Sequence, residues 1–353
     1  MNSSLSIQRR GRKRRASDSD PDSYILLSSA NTKRLRSRGV YDPNFEQRMI
    51  DNAIYPAGYK HPDGRRPSKP LNWAEIQQVL IERRSSLSSY LEYDEFVEAD
   101  YGVTSENRAT VKVIPMIQGR VRDDRCVNGD IPLNNLADIM RGPSHKAKPD
   151  VYYGARPEQL RREVRDKLQA FVVPSTKDTR PLAPNFFIEA KSPSGPALVN
   201  INQACFAGAA GARGIHSLQT YGQQTQKYDN NAYTLSTTYH SGTLKIYSHH
   251  ISQPHGPGTQ PEYYMHQLYA WALTASKETL IQGITAFRNA ESWTEAQRNT
   301  AIDHANAVAN GDGVGDTTAA SPPLVGSLAS QMPFPQRLTR WWNGFFSEAP
   351  PLP

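Results

Sequence analysis

The sequence predicts an α/β fold, and three features carry that expectation. The run Asn185-Phe186-Phe187-Ile188-Glu189-Ala190-Lys191 has the length and aromatic content of a buried strand. Two β-prone stretches, 230–235 and 243–247, are joined through Ser241-Gly242 in the manner of a hairpin. Leu160, Val164, Leu168 and Phe171 recur at helical spacing between charges, so 157–171 is expected as an amphipathic helix.

Composition sets the boundaries of that fold. The 353 residues allow one large domain or two. A hydrophobic content of 37% is low for a wholly folded chain and points to disordered segments. No apolar run approaches the roughly 18 residues of a membrane span, and the basic N-terminus lacks the apolar core of a secretory signal. Cys126 and Cys205 do not make a disulfide framework, so a soluble chain in a reducing compartment is expected.

Residues 1–40 hold ten basic and three acidic residues, which equals the whole formal excess of +7. They lie in two clusters, Arg9, Arg10, Arg12, Lys13, Arg14 and Arg15, then Lys33, Arg34, Arg36 and Arg38. This segment is expected as a disordered arm that engages an import receptor or contacts nucleic acid, which implies a nuclear protein. The rest of the chain is formally neutral, so any nucleic-acid contact there must come from local placement of charge.

From Tyr41 the chain turns globular, and 41–147 is expected to form a mainly helical N-terminal part. A short helix should lie in 44–54, stopped before Pro56. Asn72 should cap a helix through Ile76, Val79 and Leu80, with Glu75 completing a capping box. Another helix should hold Phe96, with Val111, Val113 and Ile114 following and Pro115 interrupting. Glycines and prolines make 118–148 loop-rich. Pro149-Asp150-Val151-Tyr152-Tyr153-Gly154 should form a strand, and the small residues of 201–219 a helix lying close against a sheet. Met265, Leu268, Tyr269, Ala272 and Leu273 suggest a helix, followed by a polar one near 294–309. Residues 310–353 are expected as a disordered tail, in which Trp341, Trp342, Phe345 and Phe346 resemble a short docking segment.

Alternate side chains on a strand share a face, so Glu189 and Lys191 should point together. A strand carrying Asp150 beside them would let Asp150 and Glu189 converge on one cation. Mg²⁺ (or Mn²⁺) favours such oxygen ligands, and Lys191 nearby would orient water or offset charge on a phosphate. The bare E-x-K triplet is weak, since about one is expected by chance in a chain of this length.

More of the chain supports it. Residues 148–307 resemble an uncharacterised domain family of filamentous fungi grouped with PD-(D/E)XK nuclease-like proteins. The likeness is carried by 149–154, 184–191, Gln203-Ala204-Cys205, 208–213, His216-Ser217-Leu218-Gln219, 228–233, 262–265 and 286–290. It implies a restriction-endonuclease-like core over 148–309, a central mixed β-sheet flanked by helices. It places catalysis on Asp150, Glu189 and Lys191, with Asp150 and Glu189 holding the metal. It also implies phosphodiester hydrolysis, with DNA favoured over RNA as substrate. The family's helical Asn-Glu pair is expected near Asn107, but Arg108 follows here, leaving Glu106 as the possible supporting carboxylate. RecB-like relatives pair Gln with Tyr four residues on. Here Ala207 follows Gln203 at that spacing, so Gln203 is a second possible supporting group.

His249 and His250, adjacent on a predicted strand, face opposite ways and are not expected to share a metal. Arg213 is expected in a surface salt bridge or on phosphate. The competing function is an inactive nuclease-fold module that binds nucleic acid or protein, with Arg108 filling the metal position. A further alternative is a scaffold whose arms alone act.

Overall fold

The computed structural model describes residues 39–84, 92–142, 145–177, 179–256 and 258–311. The two basic clusters and the aromatic tail segment lie outside the described residues.

Seven strands form one mixed sheet in the order β1-β7-β6-β5-β4-β3-β2. They are β1 Ile54–Tyr55, β2 Val127–Asn128, β3 Val151–Ala155, β4 Leu182–Lys191, β5 Ala232–His240, β6 Thr243–Ser252 and β7 Glu262–Ala272. β4 runs parallel to β5 and antiparallel to β3, and all ten of its residues are buried. β5 and β6 meet at Ser241-Gly242, whose positive φ angles of 47° and 70° match the right-handed twist of the hairpin.

Helices cover both faces, as the α/β expectation requires. On one face lie α2 Trp73–Ile81, α3 Tyr93–Tyr101 and the long α8 Lys277–Asn310. Ile76, Phe96, Ile284 and Phe287 pack there against Phe186, Ile188, Leu235 and Ile246. On the other face α7 Ala197–Gln219 packs, with α1 Phe45–Ile50, against Tyr152, Phe187, Tyr247 and Met265. α6 Arg162–Val172 closes a third cluster with the ends of α7 and α8. The glycines of α7 have the packing reason that the sequence demanded. A Cβ at Gly208 would lie 2.2 Å from the His249 imidazole, and one at Gly211 would lie 2.6 Å from the Phe187 ring.

Three expectations need correction. The segment of Met265, Leu268 and Leu273 is not a helix, since β7 occupies 262–272. Its pairing slips between Ile246–Tyr269 and Tyr247–Gln267, and this bulge at Leu268 breaks the alternation that marks a strand. Asn72 precedes α2 but makes no capping bond. Its side chain instead donates to the Ala232 carbonyl and accepts from the Ala232 N–H, both at 2.9 Å, tying the loop to β5. Pro115 does not interrupt its helix. It sits in the first turn of α5 Ile114–Gln118, after a π-helical turn Ala109–Val113 that follows α4 Glu106–Arg108. Pro115 has no N–H to return to Val111, and the widened turn meets that vacancy.

Candidate active site

The register of β3 and β4 builds the site. Val151 pairs with Ile188 and Tyr152 with Phe187, so continuing the ladder by one step sets Asp150 opposite Glu189. Opposed residues of an antiparallel pair project to the same face. Ile188 and Ala190 go into the core beneath α8, which leaves Glu189 and Lys191 on the α7 face. The side-chain direction expected from the sequence is therefore the direction found.

Asp150 sits just before β3 and is fixed from two sides. Its Oδ2 accepts a hydrogen bond from the Ala190 N–H at 2.7 Å. Behind it, the Asp130 N–H donates to the Pro149 carbonyl at 2.9 Å. Gly129 passes so close that a Cβ there would lie 1.9 Å from the Asp150 carbonyl oxygen. Only a residue without a side chain lets that loop brace the strand.

Glu189 is 1% exposed, and its Oε2 is buried without a hydrogen-bond partner. Lys191 is equally buried at 1%, and its Nζ donates to Glu106 Oε1 at 2.6 Å. Glu106 arrives from α4, at the start of the helical run that contains the π turn. Arg108 lines a separate cavity with Glu95 and Glu98. Arg108 therefore does not fill the space between the carboxylates. Glu106, one place off the related pattern that Arg108 breaks, is the carboxylate that reaches the lysine.

These groups open on a cavity of about 320 Å³, lined by Glu106, Asp130, Lys148, Asp150, Glu189 and Gln203 among others. Gln203 comes from α7, and its Oε1 is also buried without a partner. Lys146 and Lys148 stand at the edge, paired with Asp138 at 2.7 Å and Asp130 at 2.6 Å. Sequence reasoning missed Asp130 and Lys148. The only local signal was Gly129, which reads as loop punctuation until its contact with Asp150 is seen.

Burial and crowding of like charge raise both carboxylates. Desolvation pushes Asp150 up to about 6, against the pull of the Ala190 N–H and of Lys191. Glu189 is held well above the usual carboxylate range, first by its burial and then by the charge of Asp150. Two carboxylates with an orphaned oxygen are a hard-oxygen donor set suited to Mg²⁺ or Mn²⁺, whose positive charge would relieve their repulsion. Among the described residues no three His, Cys, Asp or Glu side chains form a ready metal cage. A Mg²⁺ site built on carboxylates completes its octahedron with water.

The histidines do other work. His249 is buried with a ring nitrogen 2.7 Å from Ser236 Oγ, and burial drives its pKa down to about 3. His250 stacks on Tyr264 and His266 on the opposite face of the sheet. Among the described residues Arg213 makes no salt bridge. Its guanidinium donates to the backbone carbonyls of Ala137 and Asp138.

Among the described residues no helix is long and apolar enough to cross a membrane. Residues 98–305 match the family described as Domain of unknown function (DUF7924). That match spans more than half of the 353 residues, and the chain belongs to this family. No curated protein and no solved structure matches the chain.

Proposed function

We propose that this DUF7924 protein is a divalent-metal-dependent nuclease with a restriction-endonuclease-like core, acting on nucleic-acid phosphodiesters, DNA before RNA. One observation carries the proposal: Asp150 and Glu189 are opposed on adjacent strands at a cavity that Glu106 also lines, with the buried Lys191 ammonium bonded to Glu106 behind it. A cation held by Asp150 and Glu189 would supply Lewis-acid polarisation and charge neutralisation at the scissile phosphate.

The remaining work falls to the chain. Asp150 holds its carboxylate toward the cavity through the Ala190 N–H. Lys191 brings an ammonium beside the two carboxylates, where it offsets negative charge developing on phosphorus-bound oxygens. Glu106 fixes that ammonium and balances its charge in a site from which water is largely excluded. Gln203 offers a carbonyl oxygen that orients a water. The lysines at the edge favour backbone contact over base readout. Delivery to the nucleus through the basic clusters of residues 1–40 belongs to the same proposal and rests on sequence alone.

Incubation of the protein with plasmid and single-stranded DNA, with Mg²⁺ or Mn²⁺, tests this assignment beside Lys191→Ala. Metal-dependent cleavage that the variant lacks supports it. Intact DNA in both, with binding retained, assigns the inactive-module function instead.

A further inference from the structure

A second cavity, of about 530 Å³, lies farther along α7 and is lined by Asp138, Lys167, Phe171, Arg213, His216 and Tyr221 among others. Arg213 is the unusual member. Its Nη1 and Nη2 donate to the carbonyls of Asp138 and Ala137 at 3.2 and 2.6 Å, and its guanidinium covers the Phe171 ring at 5.4 Å. Its Nε is buried with no partner, and among the described residues no carboxylate lies within ion-pair distance of it. Asp138 directs its carboxylate to Lys146 at 2.7 Å. A largely buried cation balanced by carbonyl dipoles alone is stabilised by an anion. The two carbonyls use one N–H of each terminal nitrogen, leaving a second N–H on each to donate to an anion. Lys167 stands beside it, its ammonium 5.5 Å from the Tyr221 ring centre and 2.9 Å from Glu163.

The two cavities share their walls. Phe206 lines the cavity of Asp150 and Glu189, and Arg213 lines the second. Seven residues of helix return to nearly the same face, about 10 Å farther along its axis. The connecting loop does the same, with His145 to Lys148 on the first cavity and Asp138 and Ile139 on the second.

We propose that the Arg213–Lys167 cavity binds a backbone phosphate of the nucleic-acid strand to one side of the cleaved bond. This inference rests on the nuclease assignment above. Arg213 supplies the buried charge and its remaining N–H donors, Lys167 a second charge, and the Ala137-Asp138 carbonyls hold the guanidinium in place.

The test is binding of a labelled single-stranded oligonucleotide to the full chain in EDTA, where no cleavage intervenes. Lys167→Ala and Arg213→Lys are compared with Lys60→Ala, an exposed lysine that lines neither cavity. Both cavity variants are expected to bind about tenfold more weakly; Lys167→Ala should also lose roughly 0.7 from the salt slope, Arg213→Lys, which keeps its charge, should not, and Lys60→Ala changes neither. Should Arg213→Lys fail to fold, the exposed Lys167→Ala still decides the matter. Unchanged affinity and slope in a folded Lys167→Ala overturn the proposal. Inorganic phosphate is titrated in parallel. Weaker phosphate binding with unchanged oligonucleotide binding overturns the assignment to a strand. A wild-type chain that cleaves DNA normally while Lys167→Ala binds as well as wild type removes this site and leaves the nuclease assignment standing. A wild-type chain that neither binds nor cleaves removes both.

Discussion

The ammonium of Lys191, 1% exposed, donates to Glu106 Oε1 at 2.6 Å, joining the end of β4 to a short helix 85 residues earlier. A buried lysine that loses its counter-charge is costly, whereas removing both partners is much less so. The pair therefore links the proposed catalysis to stability in a way that substitutions can separate.

Glu106→Gln keeps the shape and removes the charge. It is expected to lower stability by about 1–3 kcal/mol, less than for a fully buried pair because Glu106 is partly exposed. Cleavage should fall by about 10- to 100-fold as Lys191 loses its anchor. Glu106→Gln combined with Lys191→Met should recover most of the stability and none of the activity. Urea unfolding of the four proteins, read as a double-mutant cycle, checks both statements.

Asp150 has a folded-state pKa of about 6, above its unfolded value of 3.8. The folded state thus binds more protons between those values. Its stabilising contribution is complete below about pH 4 and is lost as pH rises through 6. About 3 kcal/mol from Asp150 is at stake, and Glu189, also raised, extends the loss to higher pH. The metal-free protein should therefore melt lower at pH 7.5 than at pH 5. Added Mg²⁺ should raise the melting temperature at pH 7.5 and barely at pH 5. Asp150→Asn should remove the Asp150 share of that pH dependence and leave the share of Glu189, which is raised first by its own burial, as thermal melts across the range will show.

Gly208→Ala places a methyl group 2.2 Å from the buried His249 ring, a contact that backbone or ring must yield to. Overpacking of this kind should cost about 2–4 kcal/mol. The same change at Gly58, where a Cβ meets nothing within 4 Å, has only its positive φ of 88° to overcome and should cost about 1 kcal/mol. Denaturation midpoints of the two variants compare the mechanisms.

Asn72→Ala removes two hydrogen bonds to the Ala232 backbone rather than a helix cap. A loss of about 1–2 kcal/mol is expected. Hydrogen exchange should show it at the Ala232 amide, with the first turn of α2 unchanged.

Local chemistry made much of this legible in the sequence. The alternation of Ile188, Glu189, Ala190 and Lys191 revealed which side chains share a face, and Ser241-Gly242 announced its hairpin. The dense glycines of α7 signalled a close approach before its partner was known. What escaped was long-range or locally disguised. Nothing near Asn72 reveals that Ala232, 160 residues away, competes for its side chain. The bulge at Leu268 scrambles the period-two pattern of β7 into one that imitates a helix. The first half of α8 carries Leu280, Ile284 and Phe287 at helical spacing, yet Gly283 obscures it, being small to clear Leu273 and Trp271. Asp130 and Lys148 join the cavity only because a loop returns beside Asp150, which no periodicity encodes.

Everything proposed for the site depends on Asp150 and Glu189 acting as one cation site, and Mn²⁺ binding tests that most directly. Titration of the wild-type chain at pH 7.5, followed by electron paramagnetic resonance and calorimetry, should show one site and release of protons on binding. Asp150→Asn and Glu189→Gln, each verified as folded, should weaken it by at least tenfold. Mn²⁺ affinity equal in the wild type and both variants, or no binding by a folded wild-type chain, would contradict the assignment of this carboxylate pair as a metal site.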